Sequence, residues 1–350
     1  MCYYLIGKMR KILVTGGCGY IGSHTIVDLV NNGFEVISAD NLSRGYGEMN
    51  DRVAQLLGRP IQNFEVDLSD ATATRTIFEA HPDIEGIIHF AAYKSVPESV
   101  QEPLMYYKNN IGSLINILEC AQAYGVKNIV FSSSCSVYGN ADTLPVTEAA
   151  PLKEAESPYA ATKQMGEGIC ADFVKGNPGF KIVLLRYFNP VGAHESTLIG
   201  EMNQRPENIV PIVTQTAAGI RAEMTVFGDD YDTKDGSCVR DYIHVMDIAH
   251  AHTLAIEKSL ADALPEPCSI FNLGTGEGVT VLELIHAFEK ISGKKLNYII
   301  GPRRPGDVIK VYADNTKART QLGWDPKYNI TAMMETAWNW QLMLAKENAK

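Results

Sequence analysis

The chain has 350 residues, of which 45% are hydrophobic and 21% are charged. This length and composition are typical of a globular protein with room for two packed domains. The formal net charge of −10 argues against nucleic acids and anionic membranes as partners. None of the seven cysteines is in CxxC spacing, which predicts reduced thiols in a cytoplasmic protein, without a disulfide frame or a metal site.

The N-terminus has no basic segment ahead of an apolar one, which argues against a secretory signal, and no run reaches the ~20 apolar residues of a membrane span. Met9 stands directly before the first apolar run that could begin a fold. We therefore expect Met9 to be the natural start and residues 1–8 to be an extension.

Strand and helix patterns alternate along the first half of the chain. Predicted strands cover residues 11–15, 35–39, 63–66, 86–90, 128–131 and 181–186. Helical spacing of apolar residues separates them, around residues 21–30, 71–80, 111–118 and 158–174. Strands separated by helices predict an α/β fold with a doubly wound parallel sheet, which binds its ligands at the carboxyl ends of the strands.

The alternation breaks after Asn189. Residues 190–240 are rich in Gly, Pro, Asn and Asp, and residues 269–273 resemble one late strand. We predict that residues 9–188 and about 241–275 form the sheet domain. About 189–240 and 276–345 would form a smaller, mixed α/β C-terminal lobe that holds the substrate.

A glycine-rich turn follows the first strand and opens the first helix, with Gly16, Gly19 and Gly22 in GxxGxxG spacing. Such a turn lets a pyrophosphate approach the backbone at a helix N-terminus. Asp40 ends the second strand, where a carboxylate can bind the adenosine ribose hydroxyls and would repel a 2′-phosphate. The pattern predicts NAD rather than NADP, and Asp67-Leu68 would lie near the adenine.

Tyr159 and Lys163 are four residues apart on a predicted helix, so they share one face. Ser134 follows the strand that should end near the nicotinamide. A phenol has a pKa near ~10, and a lysine ammonium together with the positive charge of NAD⁺ would favour the phenolate. The three residues predict proton abstraction from a hydroxyl-bearing carbon as that carbon loses hydride, with Ser134 bonded to the substrate oxygen.

Longer matches add a resemblance to a known family. The chain resembles the extended short-chain dehydrogenase/reductases and, within them, the UDP-galactose 4-epimerases. The resemblance runs from about Arg10 to about Trp340, and its most discriminating segments are residues 185–193, LRYFNPVGA, and 239–245, VRDYIHV. It implies a Rossmann domain and reversible C4 epimerisation of UDP-hexoses through a transient 4-keto sugar and NADH.

The resemblance also implies residue roles. Catalysis would fall to Tyr159, Lys163 and Ser134. Contacts to NAD would come from Gly16, Gly19, Tyr20, Ile21, Gly22, Asp40, Asn41, Asp67, Leu68, Ala91, Lys94, Asn109, Tyr159, Lys163 and Tyr187. The UDP-sugar would be held by Ser134, Asn189, Asn208, Phe227, Arg240, Tyr242, Arg304, Asp307 and Val311. A homodimer would form through the helices that contain residues 111–124 and 158–174.

Two positions depart from the family pattern. Tyr93 stands where better-known members carry a smaller aliphatic residue, so we expect a local change near the cofactor. Val311 matches the position beside the sugar 2-substituent, where a tyrosine is associated with excluding N-acetyl sugars. Val311 therefore predicts room for UDP-GlcNAc and UDP-GalNAc beside UDP-glucose and UDP-galactose.

Two other functions compete with epimerisation. A sugar-nucleotide 4,6-dehydratase would carry a carboxylate pair directly after the serine, where this chain has Cys135 and Ser136. A non-catalytic NAD-sensing protein of the same fold would have lost Tyr159 or Lys163, and both are present. Metal binding is not expected, because His244, His250 and His252 lack metal-type spacing with carboxylates.

Overall fold

The computed structural model describes residues 9–202, 206–304 and 308–348. The expected N-terminal extension, residues 1–8, lies outside these residues, as does Asp307, which the resemblance predicts to bind the UDP-sugar. The strands are β1 (Lys11–Thr15), β2 (Glu35–Ala39), β3 (Asn63–Phe64), β4 (Ile84–His89), β5 (Asn128–Ser134), β6 (Lys181–Tyr187), β7 (Asn189–Val191), β8 (Met224–Phe227), β9 (Val239–Arg240), β10 (Tyr242–His244), β11 (Cys268–Leu273), β12 (Val279–Thr280) and β13 (Tyr298–Gly301).

The helices lie between these strands and after the last one. They are α1 (Tyr20–Asn31), α2 (Gly47–Leu57), α3 (Ala71–Ala80), α4 (Val96–Gln101), α5 (Pro103–Tyr124), α6 (Pro158–Gly176), α7 (Ile209–Ala217), α8 (Val245–Leu260), α9 (Val281–Ser292) and α10 (Ile330–Asn348). No helix within the described residues is long and apolar enough to span a membrane.

Seven strands form one parallel sheet in the order β11-β6-β5-β4-β1-β2-β3. Strand order reverses between β1 and β4, so a crevice opens at their carboxyl ends. One buried apolar cluster covers the face toward α1, α2 and α8, and a second covers the face toward α3, α5 and α6. This is the doubly wound α/β fold that the alternation predicts.

The remaining strands pair two by two: β7 with β10, β9 with β12, and β8 with β13. A third buried cluster lies among them and includes Val213, Phe288 and Met334 from the helices α7, α9 and α10. The late strand expected at residues 269–273 is β11, and it completes the edge of the large sheet beside β6.

Some predicted boundaries are wrong. The third strand ends at Phe64 instead of residue 66, because Val66 turns back to donate its N–H to the Phe64 carbonyl. Asp67 and Leu68 therefore lie in a loop, three residues beyond the strand. The fifth strand continues from residue 131 to Ser134, so the predicted catalytic serine is the last residue of the strand itself.

Candidate active site

The phosphate loop depends on close backbone contacts. Gly16 has φ +72°, and a Cβ there would lie 2.9 Å from the Ala91 nitrogen. A Cβ on Gly22 would lie 2.2 Å from the Gly16 carbonyl oxygen, so the helix could not pack against the turn. Gly19 begins α1 without a side-chain cap, which leaves the first backbone N–H groups to a ligand, with Tyr20 and Ile21 in the first turn.

Gly17 is a tightly packed glycine of the phosphate loop that the spacing argument missed. A Cβ on Gly17 would lie 2.2 Å from the Ser38 hydroxyl oxygen, on the neighbouring strand β2. Its sequence position alone gives no signal, because the contact comes from the tertiary packing of β1 and β2.

Asp40 is nearly buried at the end of β2, where its two carboxylate oxygens accept hydrogen bonds from the N–H groups of Cys18 (3.0 Å) and Leu42 (2.9 Å). Burial raises the pKa of Asp40, and the two hydrogen bonds oppose this rise. Leu42 has φ 56°, a left-handed conformation that the Asp40 contact stabilises. The same carboxylate thus shapes the loop and lies beside the phosphate turn, where an adenosine ribose would bind.

The other predicted cofactor residues lie around the same crevice. Asn41 accepts hydrogen bonds from the N–H and hydroxyl of Ser43, and Asp67 makes the same pair of contacts with Ser69. The Leu68 side chain is buried beneath the loop. The resemblance predicts that the adenosine of NAD lies beside these residues.

The loop after β4 and the helix α5 carry the next predicted cofactor residues. Ala91 lies against the phosphate loop, and Lys94 forms an ion pair with Glu201 at 3.1 Å. Asn109 donates a hydrogen bond to Asn110. Asn110, which has no sequence pattern that marks it as a site residue, is the buried residue of the two. It accepts a hydrogen bond from the Tyr93 N–H and donates one to the Tyr93 carbonyl.

Tyr159, Lys163 and Ser134 come together at the carboxyl end of β5. The Lys163 ammonium lies 5.9 Å from the centre of the Tyr159 ring and donates a 2.6 Å hydrogen bond to the Ser132 carbonyl. The Tyr187 hydroxyl bonds the Ser132 hydroxyl at the same strand end. The structure thus places the predicted base, the supporting cation and the substrate-binding hydroxyl beside one another.

Burial dominates the electrostatics of this cluster. It raises the pKa of Tyr159 well above its ordinary value, and a hydrogen bond with Ser134 opposes the rise. Burial also lowers the pKa of Lys163 to about 8, against the attraction of Glu167. The protein alone therefore keeps the phenol protonated, and a positive charge brought to the crevice would favour the phenolate.

A buried ion pair between Arg186 and Glu167 supports the carboxyl end of β5. Arg186 donates two hydrogen bonds to the Glu167 carboxylate, at 2.8 and 2.6 Å, and a third to the Tyr138 hydroxyl at 2.9 Å. Glu167 also accepts a 2.5 Å bond from Ser133, the neighbour of Ser134. The sequence analysis did not single out this network, because a Glu on a helix and an Arg on a strand are usually surface residues.

The residues predicted to bind the substrate lie mainly in the region of the small strand pairs. Asn189 begins β7, and Asn208 precedes α7 without capping it through its side chain. Phe227 ends β8 with 42% of its surface exposed, and the Arg304 guanidinium lies 5.4 Å from its ring centre. An exposed ring beside a cation suits a uracil and a phosphate.

Arg240, at the end of β9, and Tyr242, at the start of β10, belong to the same region. Tyr242 is 2% exposed, yet its hydroxyl has no hydrogen-bond partner among the described residues. Arg240 lowers the pKa of Tyr242 against the stronger effect of burial, so the two groups are neighbours. A buried hydroxyl beside a guanidinium fits a ligand phosphate oxygen. Val311 is buried near them, in a cluster with Val137 and Phe188.

Asp241 is another residue that sequence reasoning left without a role. Its carboxylate is fully buried and accepts hydrogen bonds from the N–H groups of Thr275, Gly276 and Ala313, at 2.8, 3.1 and 3.0 Å. It therefore joins three chain segments between the two residues predicted to hold the nucleotide.

Comparisons with known proteins identify the family of the chain. The family model described as GDP-mannose 4,6 dehydratase matches residues 13–337. A UDP-glucose 4-epimerase of Bacillus subtilis (strain 168) is 48% identical over 335 residues, which cover 94% of this chain and 96% of that protein.

Two solved structures are also similar. A UDP-glucose 4-epimerase from Bifidobacterium longum, in complex with NAD⁺ and UDP, has a TM-score of 0.90 and 43% identity, covering 95% of this chain and 98% of that one. The UDP-Glc/GlcNAc 4-epimerase from Campylobacter jejuni has a TM-score of 0.82 and 38% identity, covering 95% and 99%.

The fold, the phosphate loop and the Tyr159–Lys163 pair define a nucleotide-dependent oxidoreductase-type site. The chain therefore belongs to the extended short-chain dehydrogenase/reductase family and, within it, to the UDP-glucose 4-epimerases.

Proposed function

We propose that this chain interconverts UDP-galactose and UDP-glucose by inverting C4, with NAD as a resident cofactor. The observation that carries the proposal is the arrangement of Tyr159, Lys163 and Ser134 at one strand end, beside the crevice of the phosphate loop. The cradle at Gly16 and the acid at Asp40 fit the dinucleotide.

The protein residues move and hold one proton. The residues around Gly16 and Asp40 would hold NAD⁺, which would supply a reversible acceptor for the hydride of C4. Tyr159, as phenolate, would accept the proton of the sugar 4-hydroxyl. After the 4-keto sugar has turned its other face toward the cofactor, Tyr159 would return that proton to the C4 oxygen. Lys163 stabilises the phenolate charge, and Ser134 bonds the reacting oxygen.

Inversion requires that the UDP stays bound while the sugar turns. Arg240 and Arg304 would hold the pyrophosphate, and Tyr242 would donate its hydroxyl to the same group. Phe227 would stack on the uracil, while Asn189 and Asn208 contact the polar groups nearby. These contacts involve the UDP rather than the hexose, which leaves the hexose free to rotate.

One assay tests the function. Purified protein is incubated with UDP-galactose and no added oxidant, and UDP-glucose is measured over time. We expect steady conversion, because the cofactor is regenerated in each turnover. Absence of conversion with NAD present would overturn the proposal.

The dehydratase alternative fails at a specific position. Elimination of water needs an acid and a base beside the sugar, and the strand end continues instead into Cys135 and Ser136. Burial raises the pKa of Cys135 to about 12, so the thiol stays neutral. A non-catalytic sensor is also disfavoured, since Tyr159, Lys163 and Ser134 keep a reactive arrangement.

Val311 would set the range of sugars. Its short side chain occupies the position that the family resemblance places beside the sugar 2-substituent. The similar Campylobacter jejuni enzyme is named for both glucose and N-acetylglucosamine substrates. We expect this chain to accept UDP-GlcNAc and UDP-GalNAc as well.

The chain would divide into two lobes. Residues 9–188 and about 241–275 would form the first lobe around the large sheet and bind NAD. About 189–240 and 276–345 would form the second lobe and bind the UDP-sugar. A third buried cluster, separate from the two that cover the large sheet, lies mainly among the described residues of this second lobe. Limited proteolysis with and without UDP tests this division, because nucleotide binding should protect the second lobe.

A homodimer would form through α5 and α6. Both helices expose large apolar side chains, with Leu104 80%, Ile115 40% and Met165 50% exposed. Apolar side chains on adjacent helices are typical of a contact between subunits. Sedimentation of the native protein and of Met165→Lys tests the dimer.

The cytoplasm would be the location of the enzyme. The six cysteines of the described residues are free thiols, as expected in a reducing compartment. Fractionation of the source cells, with an antibody against the chain, tests this location.

A further inference from the structure

The loop between β4 and α4, residues 90–95, is here called the strap. It begins beside the phosphate loop, where a Cβ on Gly16 would lie 2.9 Å from the Ala91 nitrogen. It ends at Ser95, which caps α4 by accepting a hydrogen bond from the Glu98 N–H. The strap therefore runs along the crevice between β1 and β4, where the strand order reverses.

Arg44 reaches the strap from the opposite side of the crevice. It lies in the loop after β2, four residues beyond Asp40. Its guanidinium lies 5.0 Å from the centre of the Tyr93 ring and forms an ion pair with Glu98 at 2.6 Å. The Arg44 side chain thus connects three elements: the loop predicted to bind the ribose, the strap, and the helix α4 that follows the strap.

Tyr93 and Glu98, which Arg44 contacts, are held in place by hydrogen bonds of their own. Asn110 accepts a hydrogen bond from the Tyr93 N–H at 2.8 Å and donates one to the Tyr93 carbonyl at 3.0 Å. The second Glu98 oxygen accepts a 2.8 Å bond from the Tyr106 hydroxyl, which in turn accepts the Ser95 N–H at 3.0 Å. Arg44 therefore contacts partners that are already positioned.

The strap is also attached to the second lobe. Lys94 pairs with Glu201 at 3.1 Å, and the Ser95 hydroxyl donates a 2.7 Å bond to Glu207. With the Arg44 contacts, the strap is held from both sides of the crevice.

We propose that Arg44, Tyr93 and Glu98 form a clasp that closes the strap over the adenosine half of bound NAD and slows its release. The proposal rests on the proposed function, in which NAD stays bound between turnovers. The three are positioning residues, because they act on the strap and not on the reacting atoms. Arg44 is the central member, since it alone contacts both others.

The test is the release rate of NAD from the full-length protein. Protein loaded with radiolabelled NAD is chased with unlabelled NAD, and retained label is followed over time. An exposed ion pair and a cation–π contact together predict about five- to tenfold faster release from Arg44→Gln. Arg319→Gln is the matched control, because Arg319 is equally exposed and pairs with Asp325 at 2.8 Å, in the segment after Asn315.

A charge reversal separates the clasp from a general loss of structure. Arg44→Glu should release NAD faster, and the double variant Arg44→Glu with Glu98→Arg should recover part of the wild-type retention. A merely structural role would instead lower the thermal stability of both variants without recovery. Higher salt should speed release from the wild type more than from Arg44→Gln, because exposed charges are screened.

Unchanged release from Arg44→Gln, in a protein that binds NAD and converts UDP-galactose, would overturn the clasp alone. A wild-type protein that neither retains NAD nor converts the sugar would overturn the proposed function and the clasp together.

Discussion

The Lys163 ammonium donates a 2.6 Å hydrogen bond to the carbonyl oxygen of Ser132. This bond ties α6 to β5, two residues before Ser134. The backbone of the strand that carries Ser134, the hydroxyl proposed to bind the substrate, therefore also sets the position of the cation beside Tyr159.

Tyr159→Phe should lower kcat by about 10³-fold, within the range that a positioned acid–base group contributes. The ring remains and only the hydroxyl is lost, so the fold and UDP binding should persist. Conversion of UDP-galactose measures the loss, and calorimetric titration with UDP is the control. A variant that retains a tenth of the wild-type kcat would contradict the role of Tyr159 as the proton acceptor.

Lys163→Met should stabilise the nucleotide-free protein while it lowers activity. The pKa of Lys163 is about 8 in the folded protein, below its ordinary 10.5. Between these values the unfolded chain binds more protons, so the folded state is penalised below about pH 8 and regains stability as the pH rises toward 10.5. At pH 7 we expect a gain of about 1–3 kcal/mol, after loss of the Ser132 hydrogen bond.

Urea unfolding at pH 7 and pH 10 checks this prediction. The stability difference between Lys163→Met and the wild type should shrink at pH 10, where the wild-type lysine is neutral when folded. A variant that is less stable than the wild type at pH 7 would contradict the proposed cost of burying the charge.

Val311→Tyr should narrow the range of sugars. The larger ring would fill the space beside the sugar 2-substituent, so kcat/KM for UDP-GlcNAc should fall at least about tenfold more than kcat/KM for UDP-glucose. Val311→Ala is the matched control and should keep both activities. Equal losses of kcat/KM for the two sugars would show that residue 311 does not determine the selectivity between them.

Glu167→Gln should lower the free energy of unfolding by about 3–5 kcal/mol, because it leaves the buried Arg186 without a counter-charge. Asp172→Asn, on the same helix, removes the exposed ion pair with Lys175 and should change stability by less than about 0.5 kcal/mol. Urea unfolding of both variants measures the contrast. Equal small effects would show that the Arg186 charge is satisfied by Tyr138 and the backbone.

The sequence predicts the large sheet well because its strands are short apolar runs between glycine-rich or polar turns. The strands Lys11–Thr15 and Glu35–Ala39, and the helix Ala71–Ala80 beside the sheet, are confirmed to the residue. The extension of β5 through its serines was missed, because three consecutive hydroxyls resemble a loop. In the structure, Glu167, Tyr187 and the helix α6 satisfy those polar groups, and the pattern of one strand carries no information on such partners.

The candidate site shows the same limit. Tyr159 and Lys163 could be paired from helical spacing alone. The roles of Arg44, Asn110 and Asp241 could not, since an arginine in a turn, an asparagine on a helix and an aspartate after a strand are all common at surfaces. Their partners are distant in the sequence and become neighbours only when the chain folds.

The strand β11 completes the large sheet by pairing with β6, although it is synthesised long after β6. On the ribosome, the backbone edge of β6 would therefore stay unpaired until Leu273 has emerged. Such an edge can pair with another nascent chain, so a fragment that ends near residue 188 should aggregate rather than fold. Maturation of the enzyme thus depends on the late return of the chain to its first sheet.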